Sequence, residues 1–177
     1  MASYFEDFDL SDFWEENEYA TNSYVSPAPT DEIVASVEAE LGYKLPASYI
    51  ELMQQQNGGM PRRLAFPTSQ STSWADDHVA ISGIYSIGRE KRGSLCGEVG
   101  HQYWIDNWGY PAIGIYFADC PSAGHDMICM DYRKNGPTGE PEIVHVDQES
   151  DYKITFLAPD FANFIKGLVD ETEFDLS

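Results

Sequence analysis

Six short apolar runs between Arg63 and Ala158, with helical periodicity on either side of them, set what this chain can fold into. The runs are RLAF (63–66), VAISGIYSIG (79–88), AIGIYFA (112–118), MICMDY (127–132), EIVHVD (142–147) and KITFLA (153–158). Each is cut off by turn residues, and their β-branched and aromatic content predicts strands. RKNGPTGEPE, between the fourth and fifth, predicts a turn-rich hairpin loop.

Ahead of the strands the apolar period is helical. In TDEIVASVEAELG, Thr30 can cap, Asp31 and Glu32 suit the first turn, and Gly42 can close the end. Ile33, Val37 and Leu41 then share one stripe. LPASYIELMQQQNGG repeats the pattern, with Pro46 preset for a first turn, Tyr49, Ile50 and Met53 inward, and Asn57-Gly58-Gly59 as the stop. Upstream, SDFWEENE predicts a helix capped by Ser11 and ended by SPAP at 26–29. After the strands, PDFANFIKGL predicts a closing helix with Phe161, Phe164, Ile165 and Leu168 on one face. The expected class is α+β: N-terminal helices and a C-terminal helix packed on a mainly antiparallel sheet of about six strands. At 177 residues this is one domain, 1–177. A domain of this size buries roughly 70% of its unfolded surface and needs no staple.

Charge narrows the partners. Ten basic residues against thirty acidic ones give a net charge of −20. The basic clusters, Arg62-Arg63 and Arg89–Arg92, sit mid-chain, and both ends are acidic. Phosphate backbones and anionic membranes would be repelled, so neither nucleic acid nor membrane is an expected partner. A basic protein would be attracted. Cys96, Cys120 and Cys129 show no CxxC spacing, which argues against a disulfide framework or a cysteine zinc site. Met1–Leu10 has neither a basic nor an apolar leader segment and does not read as a signal peptide, so a reducing cytoplasm is the expected location.

No catalytic set stands out. GxSxG is missing, and the glycine-rich GSLCGEVG (93–100) lacks GK[ST]. His125, Asp126, Asp131, His145 and Asp147 carry metal-ligand chemistry. However, His125 and Asp126 would point to opposite faces of a strand, and only His145 and Asp147 would share one. We therefore expect no metal and no cofactor, and read Gly124-His125-Asp126 chiefly as a brace at the sheet's end. The stronger functional stretch is HQYWIDNWGYP (101–111), read as a loop whose aromatics interleave with an acid. Aromatics dominate binding hot spots. The expected partner-binding residues are Tyr103, Trp104, Asp106, Trp108, Tyr110, Asp119, His125 and Asp126.

One family's frame is visible in these segments. Val37-Glu38 with Leu41-Gly42, Leu45-Pro46 with Tyr49, and Asn57-Gly58-Gly59 follow one another as V-E-x-x-L-G, L-P-x-x-Y and N-G-G. In order and spacing they resemble the helical N-terminal motif of the SUKH superfamily, which includes fungal cell-wall regulators of the Smi and Knr type and bacterial toxin-immunity proteins. WGYPAIGIYFADC and the sequence after it are similar to the C-terminal half of bacterial members, so the resemblance spans about 13–168. It implies an α+β fold without an enzymatic centre, used to bind proteins. The leading expectation is an immunity protein that neutralises a basic toxin domain, of the nuclease kind, through an acidic surface. The alternatives are a regulatory scaffold for endogenous signalling proteins and a metal-dependent hydrolase built on His125, Asp126, His145 and Asp147. The residues fix no oligomeric state.

Overall fold

The computed structural model describes residues 3–174. In chain order it contains β1 (Trp14–Glu15), α1 (Glu18–Ser23), α2 (Asp31–Leu41), α3 (Ala47–Gln55), β2 (Met60–Pro61), β3 (Ala65–Pro67), β4 (His78–Ala80) and β5 (Gly83–Ile84). There follow α4 (His101–Trp108), β6 (Gly114–Asp119), β7 (Asp126–Asp131), β8 (Glu142–Asp147), β9 (Lys153–Ala158) and α5 (Phe161–Gly167). Strands β5 to β9 form an antiparallel meander in sequence order, while β1–β2 and β3–β4 are separate two-stranded pairs. The fold is α+β. Among the described residues no helix is long and apolar enough to cross a membrane.

Local chemistry sets the helix ends. Thr30 Oγ1 accepts the Ile33 N–H at 3.2 Å, and Gly42 closes α2 in the left-handed conformation. Asp160, one residue after Pro159, caps α5 by accepting the Asn163 N–H at 2.8 Å. The expected Ser11 helix does not form. Ser11 turns to the Asp9 carboxylate instead, and α1 starts later, where Asn17 accepts the Ala20 N–H at 2.7 Å. The intervening residues take extended form because Phe13 buries, and Trp14 and Glu15 pair with β2.

The central sheet has five strands, not six. VAISGIYSIG breaks at Ile81-Ser82, where the Ile81 N–H donates to Leu64 and the Ser82 N–H to Asp119. Its first part pairs with β3, shifted from RLAF to Ala65–Pro67, and its second part pairs with β6. On one face of the sheet, Phe117 meets Tyr49 of α3 and Phe161 and Phe164 of α5 edge-on. On the other, Tyr116 stacks on His101 of α4 and packs against Tyr110. A bulge between Tyr116 and Ala118 interrupts the ladder, and the Tyr116 N–H donates to His101 Nδ1 at 3.1 Å. Burial lowers the His101 pKa to about 4, which keeps that nitrogen free to accept. Helix α4 is thereby pinned across the sheet.

The N-G-G stop is an anchor. Asn57 is buried, its amide donates to the Pro27 and Ile87 carbonyls, and its oxygen accepts the Ile87 N–H at 2.8 Å. Gly58 follows at φ +89°, with the Tyr24 carbonyl 2.6 Å from where a Cβ would sit. Three loop groups therefore depend on one side chain. Asn57→Ala should lower stability by about 2–4 kcal/mol in urea unfolding, because it leaves buried backbone groups unpaired. A loss under about 1 kcal/mol would contradict that assignment.

Candidate functional site

A cleft of about 280 Å³ opens between α1, α4, the Arg92-Gly93 segment and the β6–β7 turn. Its α4 wall is helical, which corrects the loop expected for 101–111. His101, Trp104 and Trp108 recur at i, i+3 and i+7, and Gly109 ends the helix in the left-handed conformation. Trp104 is the most buried of the α4 residues that line it, its indole N–H donating to the Val99 carbonyl and the Tyr85 hydroxyl, each at 3.1 Å. Tyr103 and Trp108 are half-buried, and Trp108 stands 5.7 Å from the Trp104 ring. Across the cleft, Tyr19 of α1 is 63% exposed, the most open large aromatic of the described residues.

The floor is built on Tyr24. Its ring lies in a slot between Gly83 and Gly93: a Cβ at either position would come within 2.3 or 2.4 Å of it. That slot explains a glycine at the head of the GSLCGEVG segment without any phosphate. The Tyr24 hydroxyl donates to both oxygens of Asp119 at 2.9 Å, and the Gly83 N–H donates to one of them at 3.0 Å. Burial raises the Asp119 pKa to about 6, and these donors only partly offset it. Among the lining residues Arg92 is the only cation; it is exposed and leans toward Glu98 at 3.8 Å. Exposed Glu15, Glu16 and Glu18 lie on α1 and the residues leading into it, and Asp106 is exposed on α4.

The eight expected contact residues divide. Tyr103, Trp104, Trp108 and Asp119 line the cleft, and Asp106 is exposed on the same helix. His125 is exposed, edge-on to Trp108 at 5.3 Å, with Nδ1 2.7 Å from Glu149. Tyr110 and Asp126 are interior and offer no surface to a partner. Tyr110 donates to the Gly124 carbonyl at 2.6 Å, which fixes the turn under Trp108. Sequence reasoning missed Tyr24 and Arg92, which come from distant segments.

Behind the floor lies a buried polar cluster. Asp126 accepts a hydrogen bond from Ser122 and sits 2.7 Å from His145 Nε2. Cys120, which also lines the cleft, joins them: one ligand atom from each of Cys120, Asp126 and His145 lies within 4.8 Å of the other two. Asp147, directly opposite Asp126 across β7–β8, accepts the Ser73 N–H at 2.8 Å and hydroxyl at 2.6 Å. Burial raises its pKa, but the Ser73 and Ser150 donors and His145 outweigh it and hold the group below its usual value. Burial and the flanking carboxylates push the Cys120 thiol well up, the reverse of an activated nucleophile. His125 stands apart on the surface, so the hydrolase set of His125, Asp126, His145 and Asp147 is not assembled.

With this geometry in view, the sequence match becomes informative. The SUKH_6 family model, described as SMI1-KNR4 cell-wall, matches residues 31–165, from the first residue of α2 into α5. The chain belongs to the SUKH superfamily. No curated protein matches this sequence. SUKH domains are generally non-catalytic, and membership is consistent with an immunity or regulatory role exercised through protein–protein contacts. The matched span includes α4 and the sheet, whereas α1, with Tyr19, and Tyr24 directly after it lie ahead of it.

Asp119 gives the site a pH signature. Its folded pKa of about 6 exceeds its ordinary 3.8, so between those values the folded state keeps a proton that the unfolded chain releases. Stability from this group is therefore full at about pH 4 and declines as pH rises through about 6. Asp119→Asn should remove the dependence. Urea unfolding of both proteins should show their stability difference changing by up to about 2–3 kcal/mol between pH ~4 and ~7, in the variant's favour at the higher pH. A difference that is flat with pH would contradict the assignment.

Proposed function

We propose that this SUKH protein is a non-enzymatic immunity-type binding protein that neutralises a basic toxin domain, of the nuclease kind. The observation that carries this reading is the cleft itself. Tyr19, Tyr103 and Trp108 frame it, Asp119 lies on its floor, and the chain around it carries a net charge of −20. A lysine or arginine from the partner would place its cation against aromatic faces with a carboxylate beyond, a setting worth about 0.5–2 kcal/mol from the rings alone. Carboxylates along α1 and α4 would then cover the positive surface with which a nuclease holds phosphates. The reading puts the protein in the cytoplasm, where the three unpaired cysteines stay reduced.

The family's cell-wall description supports a second reading, a regulatory scaffold for endogenous signalling proteins. Co-expression separates the two: the immunity reading expects rescue from the toxin encoded beside this protein, and the scaffold reading expects none.

Binding to that toxin domain should weaken by about tenfold or more as salt rises from about 0.05 to about 0.5 M. Trp108→Ala and Tyr19→Ala should each raise Kd about tenfold or more, as hot-spot aromatics do. Glu171→Ala, in the short 3-10 turn after α5, should change it less than about twofold. Affinity indifferent both to salt and to the two aromatic substitutions would overturn the proposal.

A further inference from the structure

We propose that Cys120, Asp126 and His145 form a binding site for one divalent transition metal of the zinc class, behind the floor of the cleft. A thiol sulfur, a carboxylate oxygen and an imidazole nitrogen are together the donor set that such an ion prefers. The three donor atoms lie within 4.8 Å of one another. Tetrahedral ligands at about 2.0–2.3 Å from zinc stand roughly 3.5 Å apart, so small side-chain shifts would close the site. All three residues are held by the fold: Asp126 and His145 on neighbouring strands, Cys120 just past the end of β6.

A second observation points the same way. Asp126 and Asp147 are both buried and directly opposed, and among the described residues no lysine or arginine pairs with either. Lys153, opposite Asp147 on β9, sends its ammonium to the Ser71 carbonyl instead. Among the described residues, the one group beside them that could carry a compensating charge is His145, 2.7 Å from Asp126, and a single charge does not neutralise two buried carboxylates face to face. A divalent ion together with the Asp126 carboxylate, a Cys120 thiolate and neutral His145 makes a site with no net charge. Asp147 is then left to its Ser73 donors.

The protons balance. The thiol loses its proton to water as the metal–sulfur bond forms. The His145 ring proton, held on Nε2 when that nitrogen donates to Asp126, moves to Nδ1 when Nε2 takes the metal. His145 Nδ1 has no partner now, nor does the hydroxyl of Thr155, the residue directly across on β9. The two orphaned atoms belong to facing residues, and a hydroxyl brought within reach of a ring N–H there would give the outer support that metal-bound histidines use. Cys120 lines the cleft, which supplies the way in.

The test uses the full-length protein, stripped with chelator and titrated with Co²⁺. The proposal expects one tightly bound equivalent with a thiolate-to-cobalt charge-transfer band. Cys96→Ser should keep that band, and Cys120→Ser should lose it with at least a tenfold fall in affinity. Surface carboxylates can bind cobalt weakly but give no such band. Its absence in the wild-type protein would overturn the proposal, as would its survival in Cys120→Ser. Should Cys120→Ser not fold, Cys96→Ser and Cys129→Ala decide together: a band that persists in both supports the site, and one that vanishes in either sinks it.

Discussion

The Tyr24 ring, lodged between Gly83 and Gly93 with its hydroxyl on Asp119, is the contact on which the rest of this face depends. It joins four segments far apart in sequence: α1, the start of β5, the loop before α4 and the end of β6. Without that slot α1 would have no seat, and the cleft would lack one wall. The contact also explains an apparent disadvantage. Asp119 is held in a place where its charge is disfavoured, because its oxygens receive the hydroxyl that fixes the ring.

Two kinds of polar residue serve this face in different ways. Asp106, Glu15, Glu16 and Glu18 stay in water and shape the field that a partner meets. Asp126, His145 and Asp147 are buried at the end of the central sheet and act within the molecule. Only the first group can steer a basic protein. The second holds the β6–β7 turn and, with Cys120, carries the donor set proposed for a metal. Cys120 touches both regions, so the interior cluster and the cleft adjoin.

Much of the fold was legible because it rests on local chemistry. Thr30, Gly42 and the N-G-G stop act within a few residues of themselves, and the four long strands follow from runs whose pattern is local too. The short edges were harder to read. VAISGIYSIG looks like one strand, yet its two halves join different sheets because Ile81 and Ser82 find backbone partners in Leu64 and Asp119. Helix α4 did leave a signal: His101, Trp104 and Trp108 at helical spacing, closed by Gly109. Its crowd of aromatics beside Asp106 concealed it. The site was half legible. Aromatic α4 positions stood out, but Tyr24 and Arg92 reach the cleft only through tertiary packing, which no local pattern encodes. The same limit applies to Asp126, whose burial follows from its place opposite Asp147.

The central claim is that this SUKH domain meets a basic partner through the cleft between α1 and α4. Hydrogen–deuterium exchange of the protein alone and saturated with that partner tests it most directly. The account predicts protection gathered in residues 15–24, 92–93, 101–108 and 119–124. Protection confined to the distant β7–β8 hairpin loop at 133–140, with the cleft segments unchanged, would contradict it.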